Sequence, residues 1–109
     1  MRRIMVEELK EKLDKNENLQ LVDIREKSEF IEAKIEGSFN IPKNEIKERM
    51  DEISKETPVV IICRFGTKSS GTVRTLIDNG FDYDNVFILD GGIYEWACEI
   101  DTSLPAHLL

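Results

Sequence analysis

Val59-Val60-Ile61-Ile62-Cys63-Arg64-Phe65-Gly66-Thr67-Lys68-Ser69-Ser70 is the stretch that decides the architecture. Four consecutive β-branched residues with no polar alternation predict a strand buried on both faces, as in parallel sheets covered by helices. Beyond the loop, Val73, Leu76 and Ile77 predict a helix, and Asn79-Gly80 supplies its stop. A strand, a loop and a helix in that order place Cys63 at the carboxyl end of a strand, where open α/β sheets bind their ligands.

The same alternation extends in both directions. Val6, Leu9 and Leu13 keep helical spacing among charges, and Leu19 to Ile24 reads as a short apolar strand. Ser28 is the expected N-cap of a short helix carrying Glu29, Phe30 and Ile31. Gly37 to Pro42 reads as a turn running through Phe39 and Ile41, with Pro42 opening the next segment. Ile46, Met50 and Ile53 predict a second amphipathic helix, with Pro58 marking its end and the entry to the Val59 strand. Val86 to Leu89 is another continuous apolar strand, followed by Gly91-Gly92 and a short helix around Tyr94 to Ala97. The expected fold class is α/β, with three layers: a central, mostly parallel sheet flanked by helices. No repeat, low-complexity tract or Pro/Gly-rich linker interrupts the 109 residues, so a single domain over residues 1–109 is expected.

Composition excludes several classes of function. With 22 acidic against 15 basic residues the net charge is −7, which opposes non-specific nucleic-acid binding. Two cysteines make neither a disulfide framework nor, alone, a four-ligand zinc site. The one histidine, His107, lies close to the C-terminal end, leaving little material for a His-based triad or metal site. The longest aliphatic run, Val59 to Ile62, falls far short of the roughly 20 residues that span a bilayer. Met1-Arg2-Arg3-Ile4-Met5-Val6 meets Glu7 and Glu8 before any apolar segment develops, so no secretory signal is expected. Without disulfides or such a signal, the expected location is the cytoplasm.

The loop after Val59–Ile62 departs from this acidic background. From Cys63 to Ile77, fifteen residues, there is no Asp or Glu, where the average of 22 acids in 109 residues would place about three. Arg64, Lys68 and Arg74 stand there instead. The following helix turns unpaired N–H groups and the positive end of its dipole toward the loop. Gly66 permits the backbone angles of an anion-binding nest, and Thr67, Ser69 and Ser70 add hydroxyls. A cysteine in such surroundings is expected to be held toward its thiolate, the nucleophilic form. The competing reading of Cys63 is a small buried hydrophobe at a strand end. Cys98, in Trp96-Ala97-Cys98-Glu99, has none of these features and reads as packing, with a resolving thiol as the alternative.

At this loop the chain resembles the single-domain rhodaneses of the sulfurtransferase family. Three blocks over about residues 4 to 97 carry the resemblance in family order. The first runs from Leu21-Val22-Asp23-Ile24-Arg25-Glu26 through Glu29-Phe30 to Ile35-Glu36-Gly37-Ser38-Phe39-Asn40-Ile41-Pro42. The second is Cys63-Arg64-Phe65-Gly66-Thr67-Lys68-Ser69, and the third is Leu89-Asp90-Gly91-Gly92-Ile93 with Trp96. The resemblance implies a rhodanese fold and sulfur transfer through a persulfide on Cys63. Thiosulfate or another small anionic sulfur donor would load it, and a thiol, cyanide or a protein acceptor would empty it. Arg64, Phe65, Gly66, Thr67, Lys68 and Ser69 would bind the substrate, and Asp23 and Arg25 would support the fold and the loop as an ion pair. No metal, organic cofactor, nucleic acid or membrane is implied, and a monomer or weak dimer is expected.

The chain departs from the family pattern in three places. Ala33-Lys34 replaces the usual Gly-His, and the proposed chemistry needs no histidine base. Lys68 stands where many active members carry Arg, offering a point charge in place of a planar fork. Phe65 is larger than the small residue common there and makes the pocket mouth more apolar, which favours an organic persulfide or carrier protein. A low-turnover persulfide carrier or interaction module is therefore the alternative to an enzyme. The cysteine phosphatases of related fold need Arg six places after the cysteine, and here that position is Ser69. The charged helices, Glu7 to Lys15 and Lys43 to Lys55, read as solvated faces.

Overall fold

β4 (Val59–Ile62) is the middle strand of a five-stranded sheet. The computed structural model describes residues 2–105, so His107 lies outside the described residues. In spatial order the strands are β1 (Arg2–Ile4), β5 (Val86–Leu89), β4, β2 (Gln20–Asp23) and β3 (Phe39–Asn40), and every pairing is parallel. In register, Leu21 faces Val60, which faces Phe87, and Asp23 faces Ile62 immediately before Cys63. The helices are α1 (Val6–Asp14), α2 (Lys27–Glu32), α3 (Ile46–Arg49), α4 (Ser70–Asp78) and α5 (Gly92–Glu99).

The unbroken apolar run of β4 follows from its burial on both faces. Val60 and Ile62 join Leu9 of α1 and Ile93, Trp96 and Ala97 of α5 in one core. Val59 and Ile61 point the other way, into a second core with Ile46 of α3 and Val73 and Leu76 of α4. Side chains alternate across a strand, so Cys63 continues the Val59, Ile61 series and faces the α4 layer. The expected three-layer α/β arrangement is the one observed. Among the described residues no helix is long and apolar enough to cross a membrane.

Most elements match the expectations, and the differences are these. β1 and β3 were not expected as strands: they hold three and two residues, and only pairing with β5 and β2 makes them strands. The strand read from Leu19 to Ile24 is confined to Gln20–Asp23. The cap of α2 is Glu26 and not Ser28, because the Glu26 and Glu29 side chains form a reciprocal capping box that starts the helix two residues earlier. The helix expected over Ile46 to Ile53 is one α-turn between 3₁₀ turns at Lys43–Glu45 and Met50–Glu52, and it ends well before Pro58. Arg49 holds that segment, bonding Glu45, Glu52 and the Asn40 carbonyl. Finally, Cys98 is exposed, which overturns its reading as a packing residue. Ile93, Trp96, Ala97 and the partly buried Ile100 form the inward stripe of α5, and Cys98 falls outside it.

The stop at Asn79-Gly80 has the expected geometry. Gly80 takes φ +96° and donates its N–H to the Ile77 carbonyl, while Phe81 donates to Leu76. These are the paired bonds of a Schellman motif, and they return the chain toward β5.

Candidate active site

The loop Cys63–Ser69 leaves the carboxyl end of β4 and enters α4 at Ser70. Cys63 is only 5% exposed, yet its side chain forms part of a cavity wall. The Gly66 N–H donates to its Sγ at 3.0 Å. The sulfur therefore meets a backbone donor from its own loop. Gly66 has φ +79°, and a Cβ there would lie 2.8 Å from the Leu89 carbonyl oxygen and 2.9 Å from the Gly91 nitrogen. Only glycine permits both the left-handed turn and this approach to β5.

The N-terminus of α5 shapes the rest of the loop. Ile93 N–H donates to the Cys63 carbonyl and Tyr94 N–H to the Arg64 carbonyl, each at 3.0 Å. Arg3 of β1, paired with Asp90 at 2.9 Å, donates to the Gly66 carbonyl at 3.2 Å. In a planar trans peptide the C=O and N–H point in opposite directions. Three carbonyls pinned toward α5 and β1 therefore turn the N–H groups of Arg64, Phe65 and Thr67 to the other side. That is the side of the cavity, which no α5 residue lines. Gly66 N–H bonds the sulfur itself, and these three N–H groups face the cavity beside it, the arrangement of a backbone anion nest.

The cavity holds about 370 Å³. Arg64, Phe65, Thr67 and Lys68 line it with Cys63 on the loop side. The opposite wall comes from Ile24, Arg25, Glu26, Glu29 and Lys43. Of the expected substrate-binding residues, Gly66 meets the sulfur directly, whereas Ser69 is buried beneath the loop and is not part of the wall. The Ser69 and Thr72 hydroxyls are buried without a hydrogen-bond partner among the described residues. At the mouth, Phe65 is 47% exposed and packs against Tyr94 with ring centroids 5.3 Å apart, and the Arg64 guanidinium lies 5.1 Å from the Phe65 ring. A larger hollow of about 550 Å³ between α1 and the end of α5 has no cysteine in its wall.

Asp23 and Arg25 form a buried fork beside this cavity. Arg25 Nη2 reaches Asp23 Oδ2 at 2.8 Å, and Arg25 Nε reaches Oδ1 at 3.0 Å. The Arg25 backbone N–H also donates to Oδ1, and the guanidinium bonds the Ala33 and Glu29 carbonyls of the α2 region. The pair thereby fixes the end of β2 against α2. Ile24 N–H donates to the Ile62 carbonyl at 2.9 Å, carrying that placement to the residue before Cys63.

A family model for the rhodanese-like domain matches residues 5–99. The chain belongs to the rhodanese-like domain family. It is 36% identical over 91 residues to the putative sulfurtransferase YtwF of Bacillus subtilis, covering 84% of this chain and 85% of that one. It is 36% identical over 76 residues to the thiosulfate sulfurtransferase GlpE of Tolumonas auensis, covering 70% of each. The crystal structure of a rhodanese-related protein from Thermoplasma volcanium superposes with a TM-score of 0.80 at 29% identity, covering 92% of this chain and 94% of that one. The observed all-parallel sheet with helices on both faces is thus the rhodanese fold.

Sequence reading of this rhodanese-like chain missed one side of its site. Lys43, Glu26 and Glu29 line the cavity, and Arg3 braces the loop, although none lies near Cys63 in sequence. From charge pattern alone Lys43 belongs to the solvated face of the Lys43 to Lys55 segment. A signal existed for it: Lys43 lies three residues past the carboxyl end of β3, and strand ends of this kind surround ligand sites.

Proposed function

We propose that this protein is a rhodanese-type sulfurtransferase in which Cys63 carries the moving sulfur as a persulfide. The single observation carrying this reading is the Cys63 sulfur accepting the Gly66 N–H inside a cavity walled by Arg64, Lys68 and Lys43. The thiolate is the nucleophilic form of cysteine. The thiolate attacks the outer sulfur of thiosulfate, and the S–S bond breaks with its electron pair leaving on sulfite. The product is Cys63–S–S⁻. An acceptor thiolate or cyanide then attacks the outer sulfur, and the Cys63 thiolate departs with the bonding pair. Neither step needs a general base. The N–H groups of Arg64, Phe65, Gly66 and Thr67 stabilise the persulfide anion as an oxyanion hole stabilises developing charge. The cytoplasm suits this chemistry, since thiols there stay reduced.

Intact-mass spectrometry after thiosulfate treatment tests the reading. Wild type should gain one sulfur atom, removable by cyanide or reductant, and Cys63→Ser should gain none. Cys98→Ser should load like wild type. Sulfur found on Cys98, or none on wild type with any sulfane donor, defeats the assignment. Stable loading with very slow thiocyanate formation would mark a carrier, a reading that the exposed Phe65–Tyr94 pair favours by offering an apolar mouth to a bulkier acceptor.

Lys68 sets how firmly a small dianion is held. Arginine presents a planar fork to an oxyanion where lysine presents one point charge. Lys68→Arg should therefore raise kcat/KM for thiosulfate by about three- to tenfold, mainly through KM. Steady-state thiocyanate formation checks this, and an unchanged KM counts against Lys68 as a thiosulfate contact.

A further inference from the structure

The α2 wall of the cavity is acidic, which a site built only for small anions does not explain. Glu26 and Glu29 line the same cavity as Cys63, and neither makes an ion pair among the described residues. Their capping box uses one hydrogen bond on each side chain: Glu26 accepts from the Glu29 N–H, and Glu29 Oε1 accepts from the Glu26 N–H at 3.1 Å. A carboxylate has about four lone-pair sites, so each retains acceptor capacity for a ligand. Arg25 does not neutralise them, because its fork is taken by Asp23. The cavity thus carries two carboxylates held in no ion pair on its α2 side, next to Lys43 and across from Arg64 and Lys68.

Resting on the sulfurtransferase reading above, we propose that this cavity selects a sulfane-sulfur compound bearing an ammonium group beside its anionic sulfur end. The anionic end meets the loop N–H groups and Lys68, and the ammonium meets Glu26 and Glu29. A thiosulfate dianion fills only a fraction of about 370 Å³ and presents nothing but negative charge to the acidic wall. A zwitterionic donor spans the cavity and satisfies both walls. Sulfur transfer from such a thiosulfonate balances as thiosulfate does: Cys63 thiolate bonds the outer sulfur, the S–S bond breaks, and the sulfinate leaves with the electron pair.

The test compares three donors by the rate of Cys63 persulfide formation: thiosulfate, ethanethiosulfonate and 2-aminoethanethiosulfonate. The last two differ only in the ammonium group. Glu26→Gln/Glu29→Gln removes both charges and keeps both side-chain acceptors, and glutamine serves at N3, the place of Glu29 in the capping box. Wild type should load from 2-aminoethanethiosulfonate about five- to tenfold faster than from ethanethiosulfonate, the scale of a partly solvated charge pair. In the double variant that ratio should fall to about one, and loading from thiosulfate should rise about three- to tenfold as the like-charge wall disappears. Added salt should compress the wild-type ratio and leave the variant's unchanged. Glu29→Gln alone should show part of the shift, which keeps the test intact if the double variant folds poorly. A wild-type ratio of one, or a ratio that survives loss of both charges, overturns the proposal while persulfide formation itself leaves the sulfurtransferase reading standing. Absence of persulfide from all three donors overturns both.

Discussion

Gly92→Ala should slow persulfide formation by on the order of a hundredfold while touching no substrate. Gly92 sits at φ +62°, and a Cβ there would lie 2.5 Å from both the Cys63 and the Arg64 carbonyl oxygens. These are the carbonyls that α5 pins from behind, through Ile93 and Tyr94. The clash is with backbone on both sides, so no rotamer relieves it, and the loop or α5 must move. A shift of about 1 Å at reacting atoms costs on the order of a hundredfold in rate. Here it also rotates the peptide planes that turn the Arg64 and Phe65 N–H groups away from α5. Stability falls as well, by about 1–2 kcal/mol for a left-handed alanine and about 1–3 kcal/mol for overpacking. Denaturation and persulfide loading measured on the same preparation check both. Loading at a wild-type rate in a folded Gly92→Ala protein would show that the α5 dock does not set the loop.

Gly37 makes the contrast. It also has a positive φ, +88°, but a Cβ there meets nothing within 4 Å. Gly37→Ala carries the left-handed strain alone and has no route to the sulfur, so a comparison of the two alanines separates backbone strain from the clash at the site.

How much of this was legible in the sequence depended on how local each cause is. β4 and β5 are readable to the residue because each is a wholly apolar run between polar or turn-forming neighbours, Pro58 and Asn85 among them. The end of α4 is readable because Asn79-Gly80 carries its stop in two adjacent residues. β1 has no such signature. Arg2 and Arg3 are exposed, and only the pairing of Arg2 with Phe87 and Ile4 with Leu89 makes the segment a strand. The Ile46, Met50, Ile53 spacing is satisfied by a chain of short turns, since buried contacts at those positions do not require one continuous helix.

The site divides in the same way. Cys63, the acid-free loop and Gly66 are contiguous, so strand-end position and local charge mark them. The facing of the loop N–H groups depends on Gly92 and Arg3, at opposite ends of the chain, and the acidic wall depends on a capping box that reads as helix chemistry. Glu26 and Glu29 hold one turn of α2 together by their hydrogen bonds and face the cavity by their charge. Nothing in the spacing of Glu26 and Glu29 distinguishes these roles.

Asp23→Ala should be the most destabilising single change in the chain that leaves the loop residues intact. Asp23 is fully buried and Arg25 nearly so, and every strong contact of the guanidinium with charge is to this carboxylate. Removing Asp23 strands a buried cation, which cannot shed its proton, at a cost of about 3–5 kcal/mol. Asp23→Asn keeps an acceptor for the Arg25 backbone N–H and loses the charge, so it should fall between alanine and wild type. The cause is separable from simple cavity formation. Arg25→Met added to Asp23→Ala removes the stranded charge, and the double variant should be more stable than Asp23→Ala alone, because replacing a buried pair is milder than breaking one. Chemical denaturation of the four proteins measures this. If the double variant is less stable than Asp23→Ala, Arg25 is held chiefly by the Ala33 and Glu29 carbonyls, and the placement of α2 against β2 rests on those bonds instead of on the ion pair.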